Sequence, residues 1–196
     1  MIHQRAIPAM TSTTTTSAAL TLRLRDFARG QGGMAAVEFA ALLPFMLIVY
    51  LGGIEIGDGV AIDRKVAITT RVVADLASRY TTIKNTDMSS ILGASSTIIA
   101  PYSATPISVT VSQVTCDSKG NATVTWSDSL NGTAHALGSS VTLPGTLAAA
   151  NVSYIWGEVA YAYTPTLGYV MTGTLTLKNQ IFMSPRQSAT VTRVNS

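Results

Sequence analysis

Charged side chains make up only 12% of the 196 residues, against about 25% in an average soluble domain. The cations that occur are not interleaved with aromatics on a folded face, the pattern a nucleic-acid partner needs, so no nucleic acid is expected. Cysteine occurs once, as Cys116, which excludes an internal disulfide and any CxxC or Cys/His metal pair. It is expected to be a small buried hydrophobe on a strand. Histidine occurs twice, as His3 and His135; the second lies in a loop rich in glycine and threonine and is expected to be solvated rather than catalytic. The signatures HExxH and GxSxG and the glycine-rich phosphate loop are missing. Asp117, Asp128 and Glu158 form no metal-ligand pattern. The first two read as hairpin-end residues and Glu158 as an outward-facing strand residue. NAT, NGT and NVS at positions 121, 131 and 151 read as turn and strand residues. No catalytic residue, cofactor, metal or small-molecule substrate is expected.

Against these absences stands one long apolar run. From Ala35 to Ile54 it is interrupted only by Glu38, Pro44 and the pair Gly52-Gly53. Spanning a bilayer takes about 20 mostly apolar residues, and this run reaches that length. A secretory signal has a shorter apolar core of about 7–15 residues followed by a small-residue cleavage site, and no A-x-A site follows here. The run is read as a membrane anchor. Arg5, Arg23, Arg25 and Arg29 precede it, opposed by Asp26 alone. That basic flank places the N-terminus in the cytoplasm and the rest of the chain across the membrane. Residues 1–33, with TSTTTTSAAL and LRLRDFARGQGG, cannot bury a core and are expected to form a disordered or weakly helical cytoplasmic leader.

The helix is expected to continue beyond the bilayer. Ile62, Val66, Val73, Leu76 and Tyr80 share one face. Arg64, Arg71, Asp75 and Arg79 share another, with Arg71–Asp75 and Asp75–Arg79 as i,i+4 pairs. A helix from Met34 to about Tyr80 is on the order of 70 Å long at 1.5 Å per residue, too long for a bilayer alone. Residues 34–57 are therefore assigned to a transmembrane helix and 58–80 to an amphipathic stem. Gly52, Gly53, Gly57 and Gly59 weaken the helix where the halves meet, each by about 1 kcal/mol relative to alanine. They permit either a bend or a close helix approach through Gly53-x-x-x-Gly57.

Residues 81–196 change period and form a β-rich head. Asp87 reads as the cap of a short helix, MSSILGASSTIIA, stopped by Pro101. ISVTVS then alternates. After the turn signal DSKGN comes ATVTW, with Ala122, Val124 and Trp126 on one face, so the two runs read as a hairpin. Further strands are expected in VSYIWGEVAYAY and GTLTLKNQIFM, with LNGTAHALGSSVTLPG as a turn-rich linker. The expected fold is α+β: a long N-terminal helix packed on an antiparallel sheet of about four strands.

Glu38 is the residue in the apolar run that asks for a reason. Gly33-Met34-Ala35-Ala36-Val37-Glu38-Phe39, after a basic leader and before an apolar helix, resembles a type IV prepilin processing site. It is most similar to that of the TadE/TadG-like family of tight-adherence (Tad) pilus proteins. There a glycine precedes the scissile bond, and a glutamate followed by an aromatic stands five positions later, as Glu38 and Phe39 follow Gly33 here. Gly52-Gly53-Ile54-Glu55-Ile56-Gly57 resembles the family's G-x-x-E-x-G at the end of the membrane helix. Val124-Thr125-Trp126-Ser127, Glu158-Val159-Ala160-Tyr161 and Met183-Ser184-Pro185-Arg186 resemble its later strands. The resemblance implies a minor pseudopilin or pilus-assembly protein of the inner membrane with a periplasmic head. Its implied partners are the membrane, a prepilin peptidase that cuts between Gly33 and Met34, and other Tad pilus subunits and assembly proteins. It implies recognition and inter-subunit pairing for Glu38 and Phe39, and an exit motif at Gly52, Glu55 and Gly57. An unprocessed single-pass scaffold that binds the pilus or secretion machinery through its head would use the same anchor.

Overall fold

The computed structural model describes residues 32–165 and 173–195. The leader expected over 1–33, with its arginines and His3, lies up to residue 31 outside the described residues. The chain divides into two compact units between Tyr50 and Leu51. Of the first unit, residues 32–50 are described. They are helical, and from Met34 to Tyr50 every side chain is exposed. They form the start of helix α1 (Gly32–Ser78), a single helix of 47 residues that contains Pro44. Its most apolar window has a mean hydropathy of 2.1 and none of that window is buried. By length and composition α1 is able to cross a membrane.

The second unit holds the rest of α1, helix α2 (Asn85–Ile99) and seven strands. These are β1 (Thr82–Ile83), β2 (Ile107–Cys116), β3 (Ala122–Leu130), β4 (Ser140–Val141), β5 (Ser153–Tyr163), β6 (Leu175–Met183) and β7 (Thr192–Arg193). The main sheet is antiparallel in the order β4-β3-β2-β5-β6, and β1 pairs with β7 in parallel. The expected four long strands are thus present. The fifth, β4, is a two-residue edge inside the stretch read as a linker, and is too short to show a period.

The amphipathic half of α1 buries the face its spacing predicts. Ile62, Val66 and Val73 are buried, with Leu76 and Tyr80 packed at the margin of the same core. Small residues complete the contact: Ala74 and Ala77 are fully buried, and Gly157 of β5 lies directly beneath Ala74 and Thr70. Thr69 and Thr70 are buried without loss because each hydroxyl donates to a carbonyl one turn back, Lys65 O and Val66 O, both at 2.8 Å. The predicted Arg71–Asp75 pair is replaced. Asp75 bonds Arg79 at 2.6 Å and also pairs with Arg186, which arrives from the segment after β6. In α2, Asp87 is the third helical residue rather than the cap. Its carboxylate accepts the Lys84 backbone N–H at 3.0 Å, tying down the first turn.

Strand β3 departs from its apparent alternation. Pairing with β2 jumps from Gln113↔Trp126 to Val114↔Val124, leaving Thr125 as the extra residue of a bulge. One inserted residue reverses the faces. Trp126 therefore joins the core under α1, while Ala122 joins a second cluster on the opposite face with Val114, Cys116, Tyr154 and Trp156. Cys116 is buried as expected, and burial, followed by the nearby Asp117 charge, pushes its thiol pKa up. Asp117 does sit in the β2–β3 turn, but Asp128 lies within β3, where Arg193 of β7 grips it at 2.8 Å.

Candidate functional site

Gly33, Met34, Glu38 and Phe39 lie in the first turns of α1. Met34 is 69% and Phe39 59% exposed, and Glu38 is exposed with them. Met34 and Glu38 stand i,i+4 on one side of the helix, so an amine created at residue 34 would lie one turn from the carboxylate. Gly52, Glu55 and Gly57 part company. Gly52 and Glu55 are buried in the second unit while Gly57 is exposed. The Tyr163 hydroxyl donates to the Glu55 backbone oxygen at 3.2 Å, and Gly59 faces the Tyr163 ring. Burial raises the Tyr163 pKa, helped by the charges of Asp58 and Glu55. The cover of the sheet on α1 thus begins inside the stretch assigned to the membrane helix. A side chain on Gly53 or Gly57 would meet nothing within 4 Å in this chain, and the helix runs through both unbroken.

A second arrangement lies on the face of the sheet turned away from α1. The registers place Ser129, Thr110, Glu158 and Gln180 side by side across β3, β2, β5 and β6. The next row on that face holds Ser108, Ala160 and Lys178. On the other side comes Ser127, Ser112, Trp156 and Phe182. Hydroxyls bond across the strands: Thr110 with Ser129 at 2.9 Å and Ser112 with Ser127 at 2.8 Å.

The loop after β3 turns back over this face. Its Gly132 sits so low that a Cβ would lie 2.8 Å from Ser129 Oγ. His135 is anchored at three points. Its backbone N–H donates to Ser127 Oγ at 2.9 Å, its ring stacks on Trp156 with centroids 4.4 Å apart, and Nε2 meets the Glu158 carboxylate. Trp156 stacks in turn on Phe182 at 5.5 Å and donates Nε1–H to Gln180 Oε1 at 3.2 Å. His135 remains about 34% exposed, as expected of a loop histidine, but Trp156 and Glu158 come to it from β5, more than twenty residues away. Loop and sheet enclose an open groove of about 510 Å³. Among the described residues no hydroxyl or thiol bonds the imidazole ring as a nucleophile would. No group of three or more His, Cys, Asp and Glu gathers among the described residues.

Comparison with protein-family models, curated proteins and solved structures gives no match.

Proposed function

We propose that this chain is a minor pseudopilin or pilus-assembly protein of the Tad type. In this reading it is held in the bacterial inner membrane by the first half of α1, with its N-terminus cytoplasmic and its β-rich head periplasmic. The observation that carries the reading is the order of parts along one helix. Gly33 and the Glu38-Phe39 pair open an exposed apolar segment, and an amphipathic segment packed on an antiparallel sheet follows it.

The chemistry supplies a reason for that order. Cleavage after Gly33 leaves an amine at Met34, largely cationic near neutral pH because the reference pKa is about 7.7–8.0. A charged residue at the centre of a membrane helix costs about 2.5–3.5 kcal/mol. Glu38 lies near the helix end, where snorkelling lowers that cost, and pairing with the amine of a neighbouring subunit offsets it further. Entry of a processed subunit into a helical bundle is then electrostatically favoured. N-terminal sequencing of the membrane-extracted protein is expected to begin at Met34. A sequence beginning at Met1, in cells with active prepilin peptidase, would replace this reading with that of an unprocessed scaffold.

A further inference from the structure

We propose that the groove between the β3–β4 loop and the outer face of the sheet binds a neutral saccharide. The outward face of an antiparallel sheet is polar wherever it meets water, so polarity alone marks no site. Here that face is roofed. The loop descends onto it at Gly132, where a side chain would collide with Ser129. His135 then holds the loop down through Trp156, Ser127 and Glu158. The resulting volume, about 510 Å³, falls within the range of about 300–1,000 Å³ typical of small-molecule sites.

The lining selects the class of ligand. Glu158 and Lys178 are diagonal neighbours on β5 and β6, with Ala160 leaving the floor low between them. Their formal charges are opposite and Glu158 is already engaged by His135, so no fixed excess of either sign marks the groove. The remaining groups are the hydroxyls of Ser108, Thr110 and Thr133 and the carboxamide of Gln180. Ser108 and Thr133 each offer both a donor and an acceptor, Gln180 offers its amide donors, and Thr110, whose proton goes to Ser129, offers an acceptor. A ligand that covers them must return both functions at many points, because a polar group left unmatched on desolvation costs about 1–3 kcal/mol. Hydroxyl is the group that does both, and a saccharide carries it densely on a neutral frame. The imidazole of His135, backed by Trp156, adds a flat surface for the C–H face of a sugar ring. A peptide strand fits less well. β2 and β5, at the centre of its floor, are paired on both edges, and the sheet's open edge lies on the far side of β6.

The test is calorimetric titration of the detergent-solubilised full chain with glucose, galactose, mannose, N-acetylglucosamine, maltose, lactose and cellobiose. At least one is expected to bind with a Kd in the micromolar to millimolar range. Ala160→Leu, which raises the floor, and Lys178→Ala, on an exposed side chain, should each weaken that binding at least tenfold with the unfolding midpoint unchanged. Lys178→Ala guards against a folding defect in the floor variant. Absence of binding across the panel overturns the proposal, as does binding that both variants leave intact. Tighter binding of a tripeptide such as trialanine at the same groove also overturns it.

Discussion

A Cβ built on Gly157 would lie 2.9 Å from the Cβ of Ala74 and 3.3 Å from the Thr70 carbonyl oxygen. Helix α1 thus rests on the backbone of β5, and only glycine in the strand and alanine in the helix allow that spacing. Gly157→Ala is expected to destabilise the head by about 1–3 kcal/mol, as overpacking does, with a lower midpoint in thermal unfolding of the solubilised chain. Gly93→Ala in α2 is the control. A side chain there meets nothing within 4 Å, and alanine should add up to about 1 kcal/mol of helix stability. Equal midpoints for the two variants would show that the close approach is not a constraint.

Trp126 Nε1 donates to the Val191 carbonyl at 2.8 Å, and the Val191 N–H donates to the Gln113 side chain at 2.6 Å. Both bonds are buried. Trp126→Phe keeps a ring in the core but strands the Val191 carbonyl, a loss of about 1–3 kcal/mol. Denaturant unfolding should show a lower midpoint, and protease should cut sooner within residues 184–195. An unchanged midpoint would mean that the carbonyl finds another donor.

The β2–β3 turn is expected to respond to acid. The Asn121 side-chain amide, together with the backbone N–H groups of Asn121, Lys119 and Gly120, holds the Asp117 carboxyl below its ordinary range. A lowered folded-state pKa favours the fold above the unfolded value, about 3.9 for aspartate. That contribution is lost as pH falls through the folded value. Asp117→Ala should therefore flatten the decline in stability below about pH 4 while lowering stability at neutral pH. Parallel acid titrations of the two proteins would refute the assignment.

Glu38→Ala is expected to leave membrane insertion intact, because it removes a charge from an apolar helix, and to reduce recovery of the protein in sheared pili. Membrane fractionation and immunoblotting of the pilus fraction measure the two effects separately. Normal incorporation of the variant would end the pairing role proposed for the carboxylate.

Much of this architecture is legible from periodicity. The stripe Ile62–Val66–Val73 and the alternation in ISVTVS are direct images of a half-buried helix and strand. Three features are not legible, each for a physical reason. The run Ala122, Val124, Trp126 alternates perfectly, so nothing local reveals the bulge at Thr125 that turns Trp126 to the other face. Strands β1, β4 and β7 have two residues each and no period to read. The groove assembles from three strands and a loop, and His135 has no sequence neighbour that hints at Trp156 or Glu158. The paired side chains of that site exist only once β5 has found β2.

The last contacts of the head also set an order of assembly. All five strands of the main sheet are complete by Met183, yet the core under α1 is plugged by Val191, and Arg193 pairs with Asp128 and contacts Ile83 O at 3.4 Å. A chain made from its N-terminus therefore has its sheet residues available before the residues that seal its interior. Strand exchange with a neighbour would have to act within that interval. Once residues 192–193 have paired with β1, it closes.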